Sequence, residues 1–457
     1  MDSLRRDRTS DSLEKGVREP ISRKSIMAKK ENNWIPNLGA KGWGITFVCI
    51  LFYLFYGFWN GASNTLFGIY EGMFGWTQAQ IAGVISAGGW VSLIAIVVFG
   101  ALGKKVGAKT TSVIGLVGTF ISCAIIALAT NFAMFSVGVI LFFVTMVAYG
   151  VIGVGTLGSA WFPHKKGVFM GFATMGLTIC SATINPIILG FAGGPGISAF
   201  WWFVGILALV IAVIVLAFVK NNPEEAGAYP DNDRSITSEQ LDAEFKAAQE
   251  YKKNSPWTVG RVLKTPQTWF IGIGWGLPML VGAGSIAILV PTLIANGHDP
   301  LFGVVLLSSM WPVGLLGHYL IGVIDQYIGT KKTTFVVNAV VLIACLMLWL
   351  GGGATVPAAV AAGLLMFGLS GCANVCMSMT TTVFGRQDFE TAWAPIQVIY
   401  NIFNYAGVTV MTLFGVALGM SHGMAGGVVL CALAFIPIAL CSSKQIGSQL
   451  SAEKAEA

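Results

Sequence analysis

The hydrophobic pattern of this chain consists of long apolar runs that alternate with short polar breaks from Trp43 onward. Each run is long enough to cross about 30 Å of hydrocarbon as a helix. The pattern therefore predicts an all-α membrane protein with twelve transmembrane helices, numbered here as spans 1 to 12. The predicted spans are 43–69, 79–101, 111–130, 132–158, 167–191, 197–219, 267–294, 301–324, 333–351, 355–383, 391–418 and 422–442.

One long polar break, 220–264, divides the spans into six plus six. Within it, Thr237 and Gln240 have the spacing of a capping box and precede a short amphipathic helix. The predicted organisation places this linker between two six-helix halves and adds a polar tail at each end of the chain. The predicted segments are 1–42 (tail), 43–219 (half), 220–264 (linker), 265–442 (half) and 443–457 (tail).

Composition and charge agree with a membrane protein and indicate its orientation. Of the residues, 55% are hydrophobic and only 11% are charged, which excludes a soluble protein. With both termini in the cytoplasm, all 27 Lys and Arg residues fall on cytoplasmic segments. The net charge of +6 therefore reflects the orientation of the chain in the membrane and does not indicate nucleic-acid binding. The eight cysteines lie in apolar stretches and indicate neither a disulfide framework nor a metal site.

A repeat links the two halves. The loop after span 2 and the loop after span 8 both read glycine, six residues, glycine, one residue, and then a lysine, which is Lys109 in the first loop and Lys331 in the second. The matching loops are typical of transporters whose two halves rock around a central site. The loop motif residues are Gly100, Lys104, Lys105, Gly107, Gly322, Asp325 and Gly329.

On this motif the chain resembles the major facilitator superfamily, in which an aspartate of the loop helps to latch the two halves. Lys104 stands where the family has that aspartate in the first copy. In the second copy Gln326 takes the place, and Asp325 lies one residue early. The resemblance implies two pseudo-symmetric six-helix halves.

Three further stretches are similar to the oxalate:formate antiporter and monocarboxylate transporter-like branch of that superfamily. They are 161–167 between spans 4 and 5, 222–231 after span 6, and 263–269 before span 7. The resemblance implies transport of an organic acid.

Polar residues repeat at helical spacing inside several spans, where they should face a cavity or another helix. Span 5 carries Thr174 and span 10 carries Asn374 in such stripes. Either substrate binding or interhelical hydrogen bonding explains these residues. The substrate-binding candidates on spans 1 and 11 are Tyr56, Asn60, Asn64, Gln397, Tyr400 and Asn401.

His318 in span 8 is the only residue with a cationic form well inside any span. In the branch that the chain resembles, this place usually holds an arginine that receives a carboxylate. A protonated His318 would bind a carboxylate and couple uptake to a proton, whereas a neutral one would hydrogen-bond a less charged substrate. A histidine packed against a neighbouring helix is the third interpretation. Asp388 and Glu390 are interpreted as solvated loop acids.

The predicted function is secondary active transport of an organic acid across the cytoplasmic membrane by proton-linked alternating access. A monocarboxylate, including a bulky aromatic or steroid-type acid, is the expected substrate. Carboxylate exchange and a non-transporting membrane sensor are the alternatives. No enzyme constellation, cofactor or metal site is recognised, and the expected partners are the substrate, protons and the lipid bilayer, with no nucleic acid. We expect a monomer.

Overall fold

The structure is a computed structural model that describes residues 35–447 except Ile236; the side chain of Asn64 also lies outside the described part. Most of the two predicted tails falls outside these residues. The described chain is a bundle of long helices. The first half comprises Gly39–Tyr56 with Phe58–Phe74, Gln78–Ala127, Phe132–Val147 with Ala148–Gly153 and Val154–Trp161, Lys166–Ala192, and Ile197–Phe218. The second half comprises Pro266–Ala295, Pro300–Ser309 with Trp311–Ile328, Thr330–Gly351, Thr355–Leu418, and Met424–Leu440.

Nine helical stretches among the described residues are long and apolar enough to cross a membrane. Two of them contain two spans each, because Gln78–Ala127 is divided at Gly107 and Thr355–Leu418 is divided at Gly385. With the shorter Met424–Leu440, they make the twelve predicted spans.

Sharp turns between consecutive spans depend on glycine. Gly107 has φ 82° and ψ 164°, Gly329 has φ 84° and ψ 150°, and Gly385 has φ 72° and ψ 172°. This region of backbone conformation is essentially restricted to glycine. All three turns lie at one end of the bundle, which we call the motif side.

The lysine of the loop motif makes the same contact in both halves. The Lys109 ammonium donates to the carbonyl of Leu216 at 2.7 Å, and the Lys331 ammonium donates to the carbonyl of Ala439 at 2.7 Å. Leu216 and Ala439 lie in the last turns of spans 6 and 12, where free carbonyls and the helix dipole favour a cation. The repeat seen in the sequence is therefore also a repeat of three-dimensional contacts.

The linker lies against the motif side. It contains the short helices Glu224–Ala226 and Pro230–Asn232, the linker helix Ser238–Asn254, and a helix at Val259–Lys264. Thr237 and Gln240 form the capping box at the start of the linker helix. Leu241 and Ala248 are buried on one face of that helix.

A candidate substrate site between the two halves

Phenol and thiol groups from both halves surround Tyr400 on span 11. Its hydroxyl oxygen is buried and has no hydrogen-bond partner in the described part of the chain. The ionisable side chains near it are Cys372 and Cys376 of span 10, together with Tyr53 and Tyr56 of span 1. Tyr400 is thus a buried, unsatisfied polar group whose missing partner a ligand could supply.

The cluster of phenol and thiol groups around Tyr400 continues along span 1 toward span 2. The rings of Tyr53 and Tyr56 meet edge to face, with centroids 6.0 Å apart. Tyr56 also lies beside Tyr405 of span 11, whose hydroxyl is 2.9 Å from the hydroxyl of Ser92 on span 2. The predicted binding residue Tyr56 is therefore brought to the interface of the halves.

The amides of span 11 form a ladder along one face of the helix. Asn401 donates from Nδ2 to the side-chain oxygen of Gln397 at 3.2 Å and to its backbone carbonyl at 2.9 Å. Asn404 donates to Asn401 at 3.4 Å, and Gln397 donates weakly to the thiol of Cys376 at 3.6 Å. Gln397 and Asn401 are 5% and 1% exposed. Their bonds lie mostly within one helix, so these groups can turn toward a ligand without breaking the contact between spans.

The remaining predicted residues of span 1 differ in position. Asn60 is exposed, whereas the side chain of Asn64 lies outside the described residues. The residue after Asn64, Thr65, donates to the side-chain oxygen of Asn185 on span 5 at 2.8 Å. In this part of span 1, polar groups of spans 1 and 5 thus bond to each other within the first half.

His318 lies at the junction of spans 5, 8 and 10. Its side chain is 4% exposed, its ring lies beside the backbone of Ser370, and its Nδ1 atom has no partner among the described residues. Its own backbone carbonyl accepts a bond from Asn374 at 3.1 Å. Asn374 in turn accepts a bond from Thr174 at 2.7 Å, which joins the second half to the first. His318 therefore belongs to a polar junction between the halves.

Glycines allow this close approach of spans 5 and 8. A Cβ atom at Gly171 would lie 2.7 Å from the carbonyl oxygen of His318, and one at Gly322 would lie 2.5 Å from the carbonyl oxygen of Gly167. These distances are too short for any larger side chain. Gly167 and Gly171 thus serve the close packing of the two halves.

Fixed charges are restricted to the ends of the described spans and to the linker. Asp325 is one of the buried charged residues near the motif side: it is 5% exposed and packs against Gly167 at the start of span 5. A carboxylate at the N-terminus of a helix is stabilised by the helix dipole. Asp325 thus contacts the opposite half although it lies one residue earlier than the family pattern requires.

A cavity of about 410 Å³ opens beside Asp325 on the motif side. Lys166 and Lys332 line it from the first and second halves. Lys166 donates to the hydroxyl of Thr382 on span 10 at 2.6 Å. The motif side is therefore held by polar contacts as well as by glycine packing.

The linker adds charged contacts on the same side. Arg386, next to the turn between spans 10 and 11, donates two bonds to the carboxylate of Glu224, at 2.8 and 2.9 Å. Asp231 accepts bonds from the backbone amides of His164 and Lys165 in the first half. Burial raises the pKa of the Asp231 carboxyl, and these amides act in the opposite direction by favouring its charged form. The linker therefore bridges the two halves.

The interpretation of Asp388 as a solvated loop acid is wrong. Its side chain is 1% exposed and accepts bonds from Tyr251 at 2.9 Å and Ser255 at 2.6 Å. The linker helix covers the start of span 11 and supplies Tyr251, and Ser255 follows directly after the helix. Glu390 is partly exposed and lies 3.4 Å from Lys252.

The sequence analysis missed Trp393, which joins the halves deep in the bundle. Its indole N–H, on span 11, donates to the carbonyl of Val151 on span 4 at 2.8 Å. Val151 belongs to Ala148–Gly153, a stretch of π-helix within span 4. The glycines of span 4 were the available signal, since Gly155 leaves the space that the indole occupies.

No group of three or more metal-ligating side chains occurs among residues 35–447 that the structure describes. The phenol and amide groups around Tyr400 suit a small organic ligand held by hydrogen bonds.

Comparison with known proteins agrees with this architecture. A model of the Major Facilitator Superfamily matches residues 45–388. The chain is similar to the solved structure of the proton:xylose symporter XylE bound to 6-bromo-6-deoxy-D-glucose, with a TM-score of 0.67 and 13% identity over 88% of this chain and 97% of that one. It is also similar to a variant of the E. coli fucose:proton symporter FucP, with a TM-score of 0.59 and 14% identity over 88% of this chain and 100% of that one. No curated protein sequence matches the chain significantly.

Proposed function

Since this chain belongs to the Major Facilitator Superfamily and is a membrane transporter rather than an enzyme, we propose that it moves an organic acid together with a proton. Transport would occur across the cytoplasmic membrane by alternating access, with the substrate between the two halves. The observation that carries this proposal is the unpartnered Nδ1 of His318 at the polar junction of the halves.

His318 suits proton coupling because of its chemistry and its place. Imidazole is the side chain whose charge changes most readily near neutral pH. The Thr174–Asn374–His318 chain of hydrogen bonds crosses from one half to the other. This chain ends on the backbone carbonyl of His318, so the imidazole belongs to a residue of the contact that must break or rearrange when the halves move.

The remaining groups of the site favour a bulky, weakly polar acid. Tyr400 presents an unsatisfied hydroxyl, and the amides of Gln397 and Asn401 lie on the same span. The described spans hold no fixed cation near these groups. A carboxylate bound there would rely on neutral donors and on a protonated His318, while the tyrosine rings would contact its apolar part.

A neutral hydroxylated solute is the second candidate. Hydrogen bonding by amides and phenols without a fixed charge is also what a sugar-like molecule requires. The similar structures of XylE and FucP belong to symporters of xylose and fucose with protons. Both candidates keep the proton coupling and differ in the charge of the substrate.

We further propose that the motif side and both termini face the cytoplasm. The basic residues of the sequence favour this orientation. Hydrogen bonds between the halves run from Ser92–Tyr405 near mid-bundle to Lys166–Thr382 on the motif side. On the far side, Ser181 and Thr183 of span 5 are exposed. This arrangement corresponds to a transporter closed toward the cytoplasm.

The test is uptake into proteoliposomes that contain the purified protein. Labelled aromatic monocarboxylates, steroid acids, oxalate, xylose and fucose are offered with and without an inward pH gradient. Accumulation of an acid that requires the gradient supports the proposal, and accumulation of a sugar supports the second candidate. Uptake that is independent of the pH gradient but requires a second substrate preloaded inside the proteoliposomes would establish exchange and overturn proton coupling.

The variant His318→Gln provides a residue-level test. Glutamine keeps hydrogen bonding but cannot carry the proton, so gradient-driven accumulation should fall at least about tenfold while gradient-independent exchange of bound substrate persists. His298→Gln is the matched control, because His298 lies at the far end of span 7 and bonds to the carbonyl of Gly352 at 2.7 Å. Equal accumulation in the two variants would show that His318 takes no part in proton coupling.

A further inference from the structure

Span 4 changes its helical form in its interior. It runs as an α-helix over Phe132–Val147, as a π-helix over Ala148–Gly153, and again as an α-helix over Val154–Trp161. A π-helical stretch carries one residue more than the α-helix it interrupts, and such stretches occur frequently at functional sites. All six residues of this π segment are buried.

The π segment is bonded to the opposite half. The indole N–H of Trp393 donates to the carbonyl of Val151 at 2.8 Å, and the indole fills the space that Gly155 leaves. Trp393 is 4% exposed. This bond belongs to the contacts that close the motif side, so it must break when the halves separate there.

The same segment also contacts the proposed substrate site. A Cβ atom at Gly150 would lie 2.6 Å from the ring of Tyr56, so the ring rests directly on the backbone of the π segment. In the same segment, the ring centroid of Tyr149 lies 5.7 Å from that of Phe52 on span 1. The hydroxyl of Tyr149 lies 3.2 Å from the hydroxyl of Thr119 on span 3. The position of Tyr56 thus depends on the register of span 4.

We propose that the π segment is a register switch that couples closure of the motif side to the position of Tyr56, and that Trp393 is the positioning residue that holds it. The buried carbonyl of Val151 accepts two bonds, one from the indole N–H of Trp393 and one from the backbone amide of Val154. When Trp393 withdraws, this carbonyl loses one of its two bonds, which is costly in a buried place. Rewinding of the segment as α-helix gives this carbonyl a regular α-helical bond in place of the lost one, and it rotates one part of span 4 by about 100° relative to the other. The Gly150 surface then turns away from Tyr56.

This proposal rests on alternating access but not on the identity of the substrate. Its test therefore measures conformation without substrate. Nitroxide labels are attached at Thr110→Cys and Lys332→Cys on the motif side, and in a second sample at Ala79→Cys and Leu301→Cys on the far side. All four positions are exposed, whereas the eight native cysteines are buried. Distances within each pair are measured by pulsed electron resonance.

Trp393→Phe keeps a ring in the slot and removes the N–H donor. We expect the ratio of motif-side-open to motif-side-closed molecules to rise about tenfold, as the loss of one buried hydrogen bond predicts. The far-side pair should shorten as the motif-side pair lengthens. A general loss of stability would broaden both distributions without this opposite movement.

Trp201→Phe is the matched control, because Trp201 donates to the hydroxyl of Tyr70 at 2.7 Å within the first half. It should leave both distances unchanged. Deletion of Ile152 removes the extra residue of the π segment and should favour the motif-side-open state even with Trp393 intact. Unchanged distances in folded Trp393→Phe protein, or equal shifts in Trp393→Phe and Trp201→Phe, would overturn the switch and leave the uptake results untouched.

Discussion

The ion pair between the linker and span 11 offers a quantitative test of how the motif side is held. Glu224 is 3% exposed as a side chain and accepts two bonds from Arg386, which is 21% exposed. The substitution Glu224→Gln keeps the shape of the side chain and removes its charge. It leaves the Arg386 guanidinium largely buried and without its counter-ion.

The expected cost follows from the burial of the pair. Breaking a fully buried ion pair by removing one partner costs about 3–5 kcal/mol. Arg386 retains some contact with solvent, and the glutamine oxygen can still accept one bond, so we expect a loss of about 2 kcal/mol in the free energy of unfolding. The partly exposed pair Lys252–Glu390, at 3.4 Å, is the control. Lys252→Gln should cost less than about 1 kcal/mol.

The assay is equilibrium unfolding in detergent micelles for a double-mutant cycle of Glu224→Gln and Arg386→Gln. A coupling energy above about 1 kcal/mol is expected for two groups that form a bidentate bond. A coupling energy near zero, or a cost for Glu224→Gln no larger than that of Lys252→Gln, would refute the claim that the linker joins the halves through this pair.

Two further predictions concern glycines, with Gly83→Ala, a helical position with open space around it, as their common control. Gly329→Ala should lower the free energy of unfolding by about 1–3 kcal/mol, because its backbone conformation is restricted to glycine. Gly284→Ala should cost a similar amount, about 1–3 kcal/mol, because its Cβ would collide with the carbonyl of Gly407 and separate spans 7 and 11. Thermal unfolding in detergent measures both, and a loss no greater than that of Gly83→Ala would contradict either expectation.

The helices and the repeat were predictable because local physics determines them. Apolar runs of span length have no stable alternative to a helix in lipid, since every backbone group must be bonded. The glycine and the lysine of the loop motif were recognised in the sequence, and the structure shows what each does. Gly329 makes the turn, and Lys331 caps span 12. These features need no knowledge of how the spans are arranged.

The partners of the polar residues were not predictable, because they depend on how each helix is rotated in the bundle. Thr174 and Asn374 stood in two separate stripes in the sequence, and their bond appears only once spans 5 and 10 meet. Asp388 looked solvated because the linker helix that covers it lies more than a hundred residues earlier in the chain. The π segment has no local signature, since Trp393 of another span helps to stabilise it.

The bond from Lys109 to the last turn of span 6 lies wholly within the first 218 residues, and the matching bond of Lys331 lies wholly within the second half. Each half thus contains the contact that fastens its third span to its sixth. During biosynthesis, the first half can complete this bundle while the ribosome is still making the second, because domains generally fold as units in the order of synthesis. The buried surfaces that remain, around Trp393 and His318, are formed last, when two already folded bundles meet in the bilayer.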